Sequence, residues 1–427
     1  MGGDRLECCN ESGPKMTTAR TPLAQLRIAR LAAQLPTHRA FHWLHLHQPQ
    51  LRQWQLEFLA IPSPTFSESA RAAWFIEKFQ SLGLANAHLD AAGNALAELH
   101  SAPRTLDAYI LLSAHLDTVF PPGTDTTPRE EDAKILGPGA CDNGAGLTAL
   151  LAIAAALRFS GIAPPLPILF AANTCEEGEG DLRGMRHLFT AGSYAGKIVA
   201  ALALEGSGTA TAVTRALGSR RFRVTIAGPG GHSWSDAATP NPITLLSRAI
   251  AALADLATLN TAAAADEPRT TLSPGQIAGG TSINSIPQSA TVHLDLRSTD
   301  PAQLDHHATL IRRTFRTFVD STRNPEMTLT LDPIGDRPAA CLPADSPLLD
   351  TLRAVDRHLS LRTELRLGST DANIPLSLGI PAAALAAGGT GGGIHTLAEW
   401  YDPTGRETAL RRILLTLLDL TQSIAAP

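Results

Sequence analysis

Two imidazoles and several carboxylates fall in five short, widely spaced segments: SAHLDTVF, GPGACDNGAG, TCEEGEG, ALEGSG and GGIHTLAEW. Each segment ends an apolar run or follows a glycine-rich turn. The candidate metal ligands are His115, Asp142, Glu177, Glu205 and His395. Two imidazoles with three carboxylates form the mixed nitrogen and oxygen set that suits zinc, with cobalt or manganese as alternatives. His115 and Asp117 lie two apart, so on a strand they point the same way, and Asp117 could accept the second ring N–H of His115. Glu176 and Glu177 are adjacent, and two like charges in a concave site repel and desolvate unless a cation compensates. One could then bind metal while its neighbour passes on a proton. A short carboxylate at Asp142 could bridge two cations, the flanking glycines letting the backbone come close. Each feature alone has a plainer reading: a strand-end histidine, a solvated acidic loop, a helix N-cap at Asp142.

The elements that must position these groups alternate in type. Residues from about Thr21 to Leu59 read as more than one helix, interrupted at Pro36 and Pro49, and a further helix opens at Ser67–Glu68 and stops at Gly83. Continuous apolar runs beginning at Tyr109, Pro165 and Lys197 read as buried strands, with an Ala/Leu-rich helix from Gly146 to Gly161 between the first two. Strands alternating with helices predict an α/β domain with a mostly parallel sheet flanked by helices, and active groups at the strands' carboxyl ends. Near Arg220 the pattern becomes alternating: FRVTIAG, a helix from Asn241, SATVHLDLRS, a helix from Pro301 and EMTLTLDPI. That order predicts an inserted β-α-β-β-α-β, ferredoxin-like α+β domain. The expected boundaries are a disordered extension over 1–20, a catalytic domain over 21–217 and 337–427, and the insert over 218–336. Met16 is an alternative start.

Bulk properties narrow the class. The chain has 427 residues, 44% hydrophobic and 18% charged, with a formal net charge of −5. Length favours two domains, and the acidic balance argues against a nucleic-acid binder. Five cysteines without paired spacing do not read as a disulfide framework, which suits a reduced cytoplasm. No signal peptide and no membrane span is expected.

In this order, the five segments resemble the dinuclear zinc peptidase and deacylase family that contains glutamate carboxypeptidase, acetylornithine deacetylase, succinyl-diaminopimelate desuccinylase and peptidase T. The resemblance covers roughly Leu51 to Leu420 and includes two motifs of the insert, GPGGHSW and GGTSINSIPQSATVHLDLRS. It implies two divalent metal ions bridged by Asp142, with His115 and Glu205 completing one site and Glu177 and His395 the other. It further implies that Glu176 is the general base and that Asp117 orients His115. His232 would stabilise the oxyanion from a partner subunit, while Asn284 and Arg297 hold the substrate carbonyl and carboxylate. The family often has a cis peptide after the bridging aspartate. Asn143-Gly144-Ala145 departs from the Asp or Met then Lys-Gly of many relatives. Ser233-Trp234-Ser235 and the loop Gly178–Gly184 look closer to a peptidase branch.

The expected function is metal-dependent hydrolysis of a peptide or amide bond in short peptides or N-acyl amino acids, leaning to a peptidase. An N-acyl amino acid deacylase and a non-catalytic peptide-binding relative are the alternatives. The expected assembly is a homodimer through the inserted lid, without nucleic acid or membrane partners.

Overall fold

The computed structural model describes residues 20–100, 107–254 and 269–425. Two compact units emerge, one of residues 1–215 with 341–427 and the other of residues 216–340.

The first unit opens on three helices, Arg20–Ala32, Leu35–Leu46 and Gln48–Leu59. Pro36 and Pro49 begin helices here, because the first turn needs no N–H from the residue that proline replaces. Its sheet runs in the order Ala85–Leu89, Ala95–Leu99, Ile168–Asn173, Tyr109–His115, Ile198–Leu204, Ala382–Leu385, Thr211–Ala216, Ala340–Cys341. The four strands from Ile168–Asn173 to Ala382–Leu385 are parallel, His115 facing Asn173 and Ala382 facing Ala201. The strands Tyr109–His115 and Ile168–Asn173 are buried along their whole length, as continuous apolar runs covered on both faces must be. The helix Gly144–Ser160 packs on the three central strands and is itself buried almost all round, which is why its sequence lacks a polar stripe.

The second unit is a four-stranded antiparallel sheet ordered Thr270–Gly279, Ser289–Ser298, Gly218–Ala227, Thr328–Arg337, with the helices Pro242–Ala254 and Pro301–Asp320. From Ala290 on, Ser289–Ser298 alternates between buried and half-buried positions, so one face carries Val292, Leu294 and Leu296 into a core with Leu246, Ile311 and Phe315. The chain order is β-α-β-β-α-β, and the first and third of these strands lie side by side at the centre. The first helix ends by Ala254 among the described residues, and its expected continuation falls outside them, as does the expected extension before residue 20. No described helix is long and apolar enough to cross a membrane.

Candidate metal centre

The carboxyl ends of the parallel strands deliver the ligand candidates. His115 is the last residue of its strand, Glu205 follows Leu204 directly, and Glu176 and Glu177 come three and four residues after Asn173. His115 Nε2 lies 3.1 Å from Asp142 Oδ1 and 3.5 Å from Glu205 Oε1. The other Asp142 oxygen, Oδ2, lies 3.1 Å from His395 Nε2, which is also 3.0 Å from Glu177 Oε1. One carboxylate therefore faces two imidazoles through opposite oxygens, and the five residues form two three-donor groups that share Asp142. Glu176 converges on the same place, within a third group with His115 and Glu177.

Electrostatics binds the cluster together. Burial pulls the His115 imidazole down, yet Glu205, Asp117 and Asp142 more than offset it and leave the ring well above 6.5. Hydrogen bonds to Asp142 and Glu177 lift His395 to about 10. Burial alone would raise Asp142, but its bonds to both rings overcome that and hold the carboxyl far below its ordinary range. Burial lifts Glu205 to about 7, against the opposing pull of His115. The carboxylates thus demand positive charge, which ring protons or divalent cations can supply.

Backbone fixtures keep the ligands in place. The Asp142–Asn143 peptide is cis. Asn143, not Asp142, caps the following helix, its Oδ1 accepting from Gly146 N at 3.1 Å, so the Asp142 carboxylate is left for other work. A side chain at Gly146 would overlap both that cap and the Leu204 carbonyl, so only glycine lets the helix meet the strand end this closely. His115 Nδ1 is 3.1 Å from the Asp117 main-chain oxygen and 3.5 Å from its carboxylate. That carboxylate also accepts from Glu176 N and Glu177 N, each at 2.9 Å, and from Thr65 Oγ1 at 3.0 Å. It fixes the two-glutamate loop as much as the histidine.

The sequence profile of Peptidase family M20/M25/M40 matches residues 111–420. The chain belongs to this family. It is therefore a hydrolase of a metal-binding peptidase family. The fold resembles a tripeptidase from Staphylococcus aureus subsp. aureus Mu50, with TM-score 0.70 and 22% identity over 87% of this chain and 98% of that one. It also resembles a di-peptidase from Saccharomyces cerevisiae (TM-score 0.69, 14% identity, 91% of this chain and 99% of that one). A third similar structure is a dinuclear metal binding peptidase of the M20 family from Bacillus subtilis (TM-score 0.64, 15% identity, 88% and 98%). Among curated proteins, no sequence match was found.

Within the inserted unit of this M20-family chain, the paired two-residue strands Gly231–His232 and Ser285–Ile286 bring His232 beside Asn284, and Ser233 N donates to Asn284 O at 3.0 Å. His232 is exposed, with Nδ1 accepting from Trp234 N at 3.2 Å. Arg297 is not with them. It lies near the far end of Ser289–Ser298, opposite Ser219, and pairs with Asp295 at 2.7 Å.

Sequence reading missed two carboxylates. Glu399, buried, accepts from Gly139 N (2.9 Å), Cys141 N (2.8 Å) and Asp142 N (2.7 Å), and so holds the turn that presents Asp142. Burial nevertheless raises it to about 6, against the pull of those three N–H groups. Its signal was its place four residues after His395 in GGIHTLAEW. Glu68, also buried, accepts from Cys175 N at 2.9 Å and Phe66 N at 3.1 Å, and nothing in its local sequence marks it. Cys175 itself has φ of 57° and His395 has φ of 64°, left-handed backbone that non-glycine residues adopt at a cost.

Proposed function

We propose that this M20-family enzyme hydrolyses the amide bond of short peptides at a dinuclear centre held by His115, Asp142, Glu177, Glu205 and His395. The single observation that carries this reading is Asp142, whose two oxygens face two separate imidazoles 3.1 Å away on either side. Oxygen and nitrogen donors in this mixture suit zinc, with cobalt or manganese next. A pair of divalent cations there would polarise the scissile carbonyl and acidify the attacking water.

The chain's own groups do the rest. Glu176 takes a proton from water as its oxygen bonds to the carbonyl carbon, then gives it to the amine as the C–N bond breaks. Asp117 acts as a positioning residue, anchoring the Glu176 and Glu177 main-chain N–H groups. His232 donates to the developing oxyanion, an interaction of about 2.7–4 kcal/mol in comparable sites. Asn284 holds the substrate carbonyl; Arg297, which stands apart from Asn284 along its strand, would hold a free carboxylate on leaving its pair with Asp295. The insert, residues 218–336 by sequence, serves as lid and as the homodimer interface, supported by the largely exposed edge strand Thr270–Gly279. Cys141 and Cys175 are buried free thiols, which suit a reducing compartment such as the cytoplasm, whereas Cys341 is disulfide-bonded, which such a compartment does not favour.

The deciding experiment compares di- and tripeptides with N-acetyl amino acids, with and without chelator. Peptide hydrolysis that chelator abolishes and zinc restores is expected; turnover of the acyl amino acids alone would make the enzyme a deacylase. Glu176→Gln should lower kcat by at least a hundredfold while the bound metal stays at the wild-type amount. A variant with wild-type kcat removes Glu176 as base. Full metal occupancy without hydrolysis of any substrate would indicate a peptide-binding relative.

A further inference from the structure

Away from the centre, the helix Leu35–Leu46 carries an unusual stripe. Of the chain's 14 histidines, His38, His42, His45 and His47 fall within one stretch of ten residues, far more than an even spread would give. Three of them, at i, i+4 and i+7, share one helical face. Thr37, Ala40, Trp43 and Leu44 occupy the other face and are buried, so packing does not call for the imidazoles. A solvated face is ordinarily served by Lys, Glu or Gln.

The stripe borders a cavity of about 620 Å³, to which Ala29, Ala32 and Ala33 contribute only small side chains. His358, from the end of the helix Pro347–His358, reaches the same cavity from more than three hundred residues along the chain. His45 is already prepared as a ligand: its Nδ1 lies 2.9 Å from Glu407 Oε2. A carboxylate holding that N–H leaves the lone pair on Nε2 for a cation, as around metal-bound histidines elsewhere. Glu407 also pairs with Arg411, whose guanidinium stacks 5.2 Å from the Phe41 ring, so the nearby positive charge is partly neutralised.

We infer that this groove binds one divalent transition-metal cation of the zinc, nickel or copper type, chelated by His38 and His42 with His45 beside them as third donor. Residues four apart on a helix have neighbouring side chains, and imidazole suits these ions. The three-donor groups already converged among the described residues belong to the dinuclear centre. The groove pair therefore closes on its ion by rotation of exposed side chains, and binds more weakly than the centre.

Equilibrium dialysis of the full chain, prepared without a polyhistidine tag, against zinc chloride tests this. The wild type should retain one equivalent more than His38→Ala/His42→Ala. His42→Ala alone should weaken that equivalent at least tenfold, and Glu407→Gln should weaken it less. Peptide hydrolysis and melting temperature should match the wild type in the two histidine variants, since His38 and His42 are exposed. With copper(II), nitrogen hyperfine coupling from more than one imidazole should appear in the wild type and decline in His42→Ala. Equal zinc retention by wild type and double variant overturns the inference.

Discussion

Glu399 accepts from main-chain N–H groups rather than from a ligand side chain, yet it fixes the ligand on which both halves of the centre depend. Its Oε1 accepts from Cys141 N and Asp142 N, and its Oε2 from Gly139 N. A glutamine there has one acceptor oxygen, and its NH₂ would face an N–H donor, leaving a buried group unpaired. Glu399→Gln should therefore weaken metal affinity about 10–100-fold, as loss of a supporting partner does at other sites, measured by competition with a chelator. Unchanged affinity would mean that the turn holds itself. Proton counting addresses His395. Its pKa is raised from 6.5 to about 10, so the cation-free ring is protonated at pH 8 and its pairing with Asp142 and Glu177 is lost only as pH rises through that value. A cation must displace that proton. Zinc uptake at pH 8 should release at least one proton, read from calorimetry in buffers of different ionisation enthalpy, and affinity should climb between pH 6.5 and about 10. No proton release would separate His395 from the centre.

At the scale of elements, buried runs are what the sequence announces and charged core positions are what it hides. The helix Arg406–Ala425 contains Arg412 between Arg411 and Ile413, with no local sign that it faces inward. It is fully buried, with Nε 2.6 Å and Nη2 3.1 Å from the Asp356 carboxylate and Nη1 donating to Thr211 O at 2.9 Å. Arg412→Ala strands a buried carboxylate, which costs about 3–5 kcal/mol. A fall in melting temperature of several degrees is expected, and a shift under one degree would show that Asp356 finds another partner. The same helix carries Asp419, which pairs with Arg27 of the first helix at 2.9 Å. Long-range pairs of this kind tie the N-terminal helices to the catalytic fold, and no periodicity could have disclosed them.

Across the whole molecule, the division into two units has a thermodynamic consequence. The insert has its own core of Phe222, Val224, Leu246, Leu296, Ile311 and Phe315, supplied entirely by residues 216–340. Phe315→Ala should cost about 3–5 kcal/mol in that core. Scanning calorimetry should show one transition moving down while metal retention by the other unit stays at the wild-type amount. Loss of metal together with the lid would show that the units fold as one.

Residue order alone determined the parallel-sheet domain, the inserted β-α-β-β-α-β unit and the five segments rich in metal-binding groups, because periodicity and glycine-rich strand ends are local properties. Family resemblance then proposed roles for those groups. Tertiary structure decided what depends on approach between distant segments: that Asp142 stands between two imidazoles, that Asn143 takes the cap, that Asp117 holds the glutamate loop, and that Glu399 supports the turn. Hydrogen-bond partners hundreds of residues apart leave no periodic trace, since only the folded chain sets the distances that make them bonds.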